Sequence, residues 1–568
     1  MRCKGLGGAA LALLGLTAGC VTDLGEQPGG GSAPTGSSGQ ATGTGGNGSG
    51  GGTGGGGPVV DEDGNVISRP FTEPVADPAA IPARAWLLTH EQYARAVRQV
   101  LGASVDVSAF ALELDNGEYK NHADVGLVRV DLAQDYAETA EEVTAGLTVA
   151  ALQALSPTGT LDAASADAFI AAMASRAFRR PAASEDVQRF RGLFDVASGG
   201  DDATYPFRAV LRGLLTSPYF LYRTEIGARA EEANPAFQLT DHELATFASF
   251  SLTGEPPNAE LLSAADRGEL RDPAQLRTHV DALLASPTAG EQLKRFLTEW
   301  LEVDAFEEAT KFEETFPGFE SVRAAMQAEV DAFLAQSGSV ATGSLTALLT
   351  SPVPSAGPAL DAFYRSDPTA AGTEQRIGLL ALGTVLSHLG KPNLTSPTMR
   401  GLFVRERILC QHVQLPPDFS PPPLSETQER AQPETTRELY ELHASEPVCA
   451  SCHQLIDPIG FNLEGFDGAG RFRTHENGIA LDTAGALVET DVDRPVTGSV
   501  ELAEALGESR WAAECMARQA YRFYYGRTEP SRGVAPVIEA RTAAGAVTEL
   551  RPLVAALVSS SGFQRVRQ

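Results

Sequence analysis

Apolar residues recur along most of this chain at helical spacing. In "LLTHEQYARAVRQVLGA", Tyr93, Val97, Val100 and Leu101 share one face of a helix, and Thr89 with Gln92 three residues on forms a capping box. Gly102 supplies the stop. The stretch "LTDHELATFASFSLTG" has the same grammar, with Thr240 and Glu243 ahead of Leu244, Phe247, Ala248 and Leu252. The spacing predicts further helices over 135–155, 163–176, 184–197 and 205–217, more between 276 and 337, one over 511–527 and one near 547–558. Strand-like alternation is scarce. The expected fold is mainly α, a multi-segment helical body followed by a C-terminal helix-and-loop unit.

Pro-rich breaks at 352–358 and 416–423 mark joints. They suggest a helical body over 86–345, a second unit over 370–475 and a closing helical segment over 495–565. The first 85 residues are different in kind. Arg2 and Lys4 precede an apolar run from Leu6 to Ala18, then small residues ending in "LTAGC". That is the layout of an export signal, with a core too short to span a membrane. Residues 1–20 resemble a bacterial lipoprotein signal, in which Cys20 is lipidated and becomes the first mature residue. The departure is Thr17, where such signals carry Leu. Residues 21–85 begin with an almost pure Gly, Ser and Thr tract over 25–57, which has nothing to bury and predicts a flexible tether. About thirty such residues span roughly 30 Å.

Composition narrows the partners. The 568 residues are 43% hydrophobic, ample for packed cores, and carry a formal charge of −29. That charge argues against nucleic acid and anionic lipid surfaces as partners, because both would be repelled. The expected membrane contact is the lipid anchor alone.

Chemistry concentrates in "EPVCASCHQLIDPIGFNLEGFDGAGRFRT", residues 446–474. Cys449, Cys452 and His453 stand in the spacing Cys-x-x-Cys-His. Two thiols one helical turn apart meet the two vinyl groups of a haem, and the adjacent imidazole reaches the iron as proximal ligand. Rival readings are a redox-active dithiol, a zinc site and plain structural disulfides. No thioredoxin-like strand–helix pattern surrounds the motif. Adjacent Cys452 and His453 are also poorly placed to share one tetrahedral zinc.

The six cysteines are completed by Cys3, Cys20, Cys410 and Cys515. With Cys449 and Cys452 on haem, Cys410 and Cys515 are left to pair or to stay as buried thiols. Such a bridge closes a loop worth roughly 4–5 kcal/mol in the chain-entropy model. Met516 is the candidate sixth ligand of the iron, with His475, His443, His412 and Met399 as the others and an open position as the alternative. Downstream, Asp457, Glu464, Asp467 and Arg471 read more simply as a turn and an ion pair than as a cation site or as partners of haem propionates. No hydrolase signature competes, since His242-Glu243 is followed by Thr246 where a zinc protease has its second His.

"CASCHQLIDPIGFNLEGFDGAGRFR" resembles the cysteine-motif segment of the planctomycete-type cytochrome c-like family of large exported proteins. Other pieces follow in the family's order. "LTHEQYARAVRQVLG" is similar to its first segment, "AFRRPAASEDVQRFRGLF" to its second, and "LRGLLTSPYFLYRTEIG" through "LKRFLTEWLEVD" to its third. "RIGLLALGTVLSHLGKPNLTSPTMRGLFVRERILC" is similar to the opening of the motif segment and "CMARQAYRFYYGR" to the closing one. The resemblance spans roughly 86–565. It implies a C-terminal cytochrome c-like unit with Cys449, Cys452 and His453 as its haem residues, and it implies no reaction. "FNLEGFDGAG" departs from the family's usual wording without touching the ligands.

The expectation is an exported, lipid-anchored protein of the bacterial envelope, outer-membrane or periplasm-facing. It carries one covalently attached haem c and transfers single electrons to an exported redox partner. The alternatives are a non-haem, disulfide-stabilised surface scaffold or binding protein, and an exported enzyme acting through haem or on a polymer.

Overall fold

Helix ends in the computed structural model follow the caps in the sequence. The described residues are 81–567 apart from 115–118, 124, 230–235, 340, 371–375, 414–431, 446, 529–548 and 561–563, together with the short pairing of Val59–Val60 with Val66–Ile67. Cys20 and most of the 21–85 stretch lie outside them. Strand β1 (Arg84–Leu87) leads into helix α1 (His90–Leu101). Thr89 accepts from the backbone N–H of Gln92, and the Gln92 side chain accepts from that of Thr89. Gly102 ends the helix in the left-handed region at φ 71°.

The helix expected over 135–155 is two helices, α2 (Val130–Ala145) and α3 (Val149–Leu155). Gly146 closes the first, and the Thr148 hydroxyl restarts the second by accepting from Ala151 N–H. Next come α4 (Ala166–Phe178), α5 (Ser184–Ala197) and α6 (Tyr205–Leu215), then β2 (Tyr222–Glu225), which pairs antiparallel with β1. These helices bury one aromatic-rich core. Tyr93 and Tyr136 meet at 4.7 Å between ring centroids, and Phe207 takes Phe169 and Phe194 edge-on at 5.0 Å each.

A larger core draws on nearly the whole remaining chain. It takes Phe247 from α7 (Asp241–Thr253), Phe296 and Trp300 from α8 (Pro287–Trp300), and Phe333 from α9 (Phe319–Ser337). From further along come Val404, Ile459, Leu502, Tyr521 and Leu553. The fold is therefore mainly α, and the stretches 86–345, 370–475 and 495–565 all contribute to this core, while the Pro-rich 416–423 lies outside the described residues. Near the C-terminus, Arg565–Arg567 pairs antiparallel with Ala236–Gln238 and parallel with Ile81–Pro82.

The motif unit is built from α10 (Pro397–Phe403), α11 (Thr436–Ala444) and α12 (Pro447–Gly460), with the antiparallel pair β3 (Ala484–Leu487) and β4 (Arg494–Thr497). One expectation changes here. Asp457-Pro458 is not a turn, because α12 runs through Pro458 to Gly460. Proline costs the helix one backbone bond, and close packing against α10 holds the segment helical. "THENG" is a small hairpin in which His475–Glu476 pairs with Ile479–Ala480. Asn477 and Gly478 both take positive φ at its tip, as a two-residue hairpin turn requires.

Candidate haem-attachment site

Two glycines let α10 and α12 touch backbone to backbone. A Cβ on Gly460 would sit 1.9 Å from the carbonyl oxygen of Pro397, and one on Gly401 would sit 2.0 Å from that of Ile456. No side chain fits at either place. The approach brings Thr398, in the first turn of α10, over the second half of α12.

Buried arginines then fasten the unit. Arg400 donates to the carbonyls of Leu463, Phe466 and Asp467 at 2.7–2.8 Å and to Glu464 Oε1 at 3.1 Å. Past the end of α10 a π turn (Val404–Ile408) carries Arg405, which donates to the carbonyls of Leu455 and Val488 at 2.6 Å each and to Gln411 at 2.7 Å. Glu464 also accepts from Thr395 at 2.6 Å and from Arg473 at 2.9 Å. Burial pushes the Glu464 carboxyl up and the Arg400 guanidinium down, against the attraction between them. Such a network is costly to break singly, because removing one member leaves a buried charge uncompensated.

Within this frame Cys449, Cys452 and His453 lie on α12. At about 100° per residue they occupy an arc of roughly 100° on one helix face. Cys449 is buried and Cys452 half-buried; both are thiols in this structure. Cys452 packs beside a small apolar cluster of Val413, Leu455 and Ile456, flanked by Leu402 and Val488.

His453 is held from behind. Its Nδ1 lies 2.8 Å from Asp457 Oδ2, one turn further along the helix. The other carboxylate oxygen, Oδ1, accepts from the Thr398 hydroxyl at 2.6 Å. A carboxylate only accepts, so Nδ1 carries the proton and the lone pair of neutral His453 sits on Nε2. The His443 ring from α11 meets that of His453 edge-on, with centroids 5.1 Å apart. Two thiols at helical-turn spacing, an adjacent imidazole with Nε2 as its ligating atom, and an apolar flank fit covalent haem attachment.

The other residues singled out from the sequence are spread more widely. Cys410 and Cys515 are joined in a disulfide. Met516 is fully buried in the principal core, whereas Cys452 packs beside the separate small cluster. Met399, next to Thr398, is exposed, as are His475 and His412, the latter 3.0 Å from Glu406. Arg471 pairs with Asp467 at 2.6 Å, and Arg473 bridges Glu464 and Glu476 at 2.9 and 3.1 Å. Both arginines are thus taken by carboxylates. Among the described residues, no three His, Cys, Asp or Glu side chains gather as a metal cage. Asp457 and Thr398 escaped the sequence reading as partners of His453. The four-residue step from His453 to Asp457 on a helix is a readable signal; Thr398, 55 positions before His453, carries none.

Four protein-family models match the chain. The family model PSCyt3, described as a protein of unknown function (DUF1588), matches residues 376–476, which contain the whole of α10 to α12. PSD4 (DUF1592) matches 239–365, PSD5 (DUF1595) matches 165–225 and PSD3 (DUF1587) matches 87–149, each with the same description. Together they cover more than half of the chain. The chain belongs to this multi-segment, planctomycete-type cytochrome c-like family. PSCyt3, over the motif-bearing segment, is the model whose name points to a cytochrome. No curated protein and no solved structure matches the chain.

Proposed function

We propose that Cys449 and Cys452 hold one haem c through thioethers, that His453 is its proximal ligand, and that the protein is a one-electron carrier of the cell envelope. The observation that carries this reading is the anchoring of His453 Nδ1 by Asp457, which reserves Nε2 for a metal. A bound haem supplies a reversible one-electron iron couple. The chain's own part is to present two thiols and one oriented imidazole on a helix that glycine contacts and buried arginines hold in place. Export under the N-terminal signal, lipidation at Cys20 and the Gly-rich tether belong to the same proposal. So does an exported partner with a basic docking face, steered by the net charge of −29.

The test is expression with and without c-type maturation machinery. Soret and α bands that appear only with maturation, and a haem adduct on the peptide carrying Cys449 and Cys452, are expected. A colourless, correctly exported product with those two cysteines oxidised to each other would rule for the scaffold. Carbon monoxide binding to the reduced protein separates a carrier from an enzyme, since a carrier with both axial positions filled does not take it up.

A further inference from the structure

Asp457 does more than fill a helical position. Its carboxylate sits on α12, is 4% exposed at the side chain, and divides its two oxygens between His453 and Thr398. The Thr398 hydroxyl is 3.4 Å from His453 Nδ1 and 2.6 Å from Asp457 Oδ1, so its proton goes to the carboxylate and not to the ring. The His443 ring edge closes another side of the imidazole. Thr398 comes from α10 and His453 with Asp457 from α12, two helices that the Gly401 and Gly460 contacts bring within reach.

We infer that Asp457 is the positioning residue of the proximal imidazole, that its negative charge at Nδ1 lowers the reduction potential of the iron His453 would hold, and that Thr398 moderates this effect. The inference rests on the haem reading above and adds a direction to it. A carboxylate accepting the Nδ1 proton makes the imidazole a stronger donor, which favours the more highly charged iron. The Thr398 hydroxyl takes up part of the same carboxylate's accepting capacity. The two residues therefore act with opposite sign. A carboxylate that merely completed the helix packing would have no such signature.

The experiment uses the full-length matured protein and three variants, with haem content from the mass of the adduct and potential from redox titration. Asp457→Asn keeps an oxygen acceptor for Nδ1 and removes the charge. It should raise the potential, increasing the reduced-to-oxidised ratio at fixed poise by about tenfold or more, about 59 mV for one electron. Asp457→Ala should raise it as well and broaden the spectrum, because the ring loses its anchor. Thr398→Val should lower it by a smaller amount, because the carboxylate then accepts from Nδ1 alone. Nitrogen NMR of His453 in the unmatured protein gives a readout without haem: Nδ1–H in the wild type, mixed tautomers in Asp457→Ala. A coloured wild type whose potential is unmoved in Asp457→Asn, or moved the same way by Asp457→Asn and Thr398→Val, overturns the inference and leaves the haem reading standing. A colourless wild type removes both.

Discussion

The two cysteine pairs in the described part of the chain live in opposite surroundings. Cys410 and Cys515 are 105 positions apart, joined, and flanked by Leu409 and Met516 of the principal core. Their bridge ties the end of the π turn to the helix Arg510–Tyr525. Cys449 and Cys452 are three positions apart on one helix and are thiols, with Cys452 half-buried against a satellite cluster. A bond between residues one helical turn apart closes almost no loop, whereas a bond across 105 positions restricts a large part of the unfolded chain. The same side chain is a staple in one place and a candidate attachment point in the other, and sequence separation makes the difference.

The comparison breaks most sharply on cofactor content. Cys449→Ser with Cys452→Ser should abolish covalent haem completely, read by haem staining on a denaturing gel, with helical content by circular dichroism unchanged. Cys410→Ala with Cys515→Ala should do the reverse. Haem stays, and the unfolding free energy falls by up to about 4–5 kcal/mol in urea titration. If both double variants lose haem and stability alike, the division of labour is wrong.

Smaller changes sharpen the contrast. Gly460→Ala forces a methyl group onto the Pro397 carbonyl and should cost about 1–3 kcal/mol, while disturbing the NMR signals of His453 and Thr398. Met516→Leu, nearly conserving volume in the principal core, should cost less than about 1.5 kcal/mol and leave the visible spectrum unchanged. A spectral change there would place Met516 on the iron.

A separate expected effect is a pH dependence at Lys311. Burial brings the Lys311 ammonium down to about 7 from its ordinary 10.5, with Arg400 adding to the fall, while its Nζ donates to the carbonyls of Gly390 and Lys391. Between those values the unfolded chain binds more protons at this site than the folded one, so stability rises with pH from about 7 toward 10.5. Lys311→Gln should flatten that rise in chemical denaturation at stepped pH and leave haem content alone.

Legibility in the sequence tracked how local each cause was. The capping boxes at Thr89–Gln92 and Thr240–Glu243 lie where side-chain type and three-residue spacing put them. Gly146 breaks the helix expected over 135–155, and apolar periodicity running across it hides the break. Local preference makes Asp457-Pro458 a turn, and a helix packed against α10 prevails over it. In the motif unit, Arg471 with Asp467 matches the simple ion-pair reading. The Glu464 network draws on Thr395 and Arg400, far away in the chain, and no local pattern announces it.

Sequence alone determined the helical grammar, the acidic balance and the placing of two thiols and an imidazole on one helical turn, because each depends on residue type at short separation. Tertiary structure decided what stands behind the imidazole. Thr398 meets Asp457 only because two distant helices cross at positions without side chains, and such a crossing is settled by the packing of the whole unit.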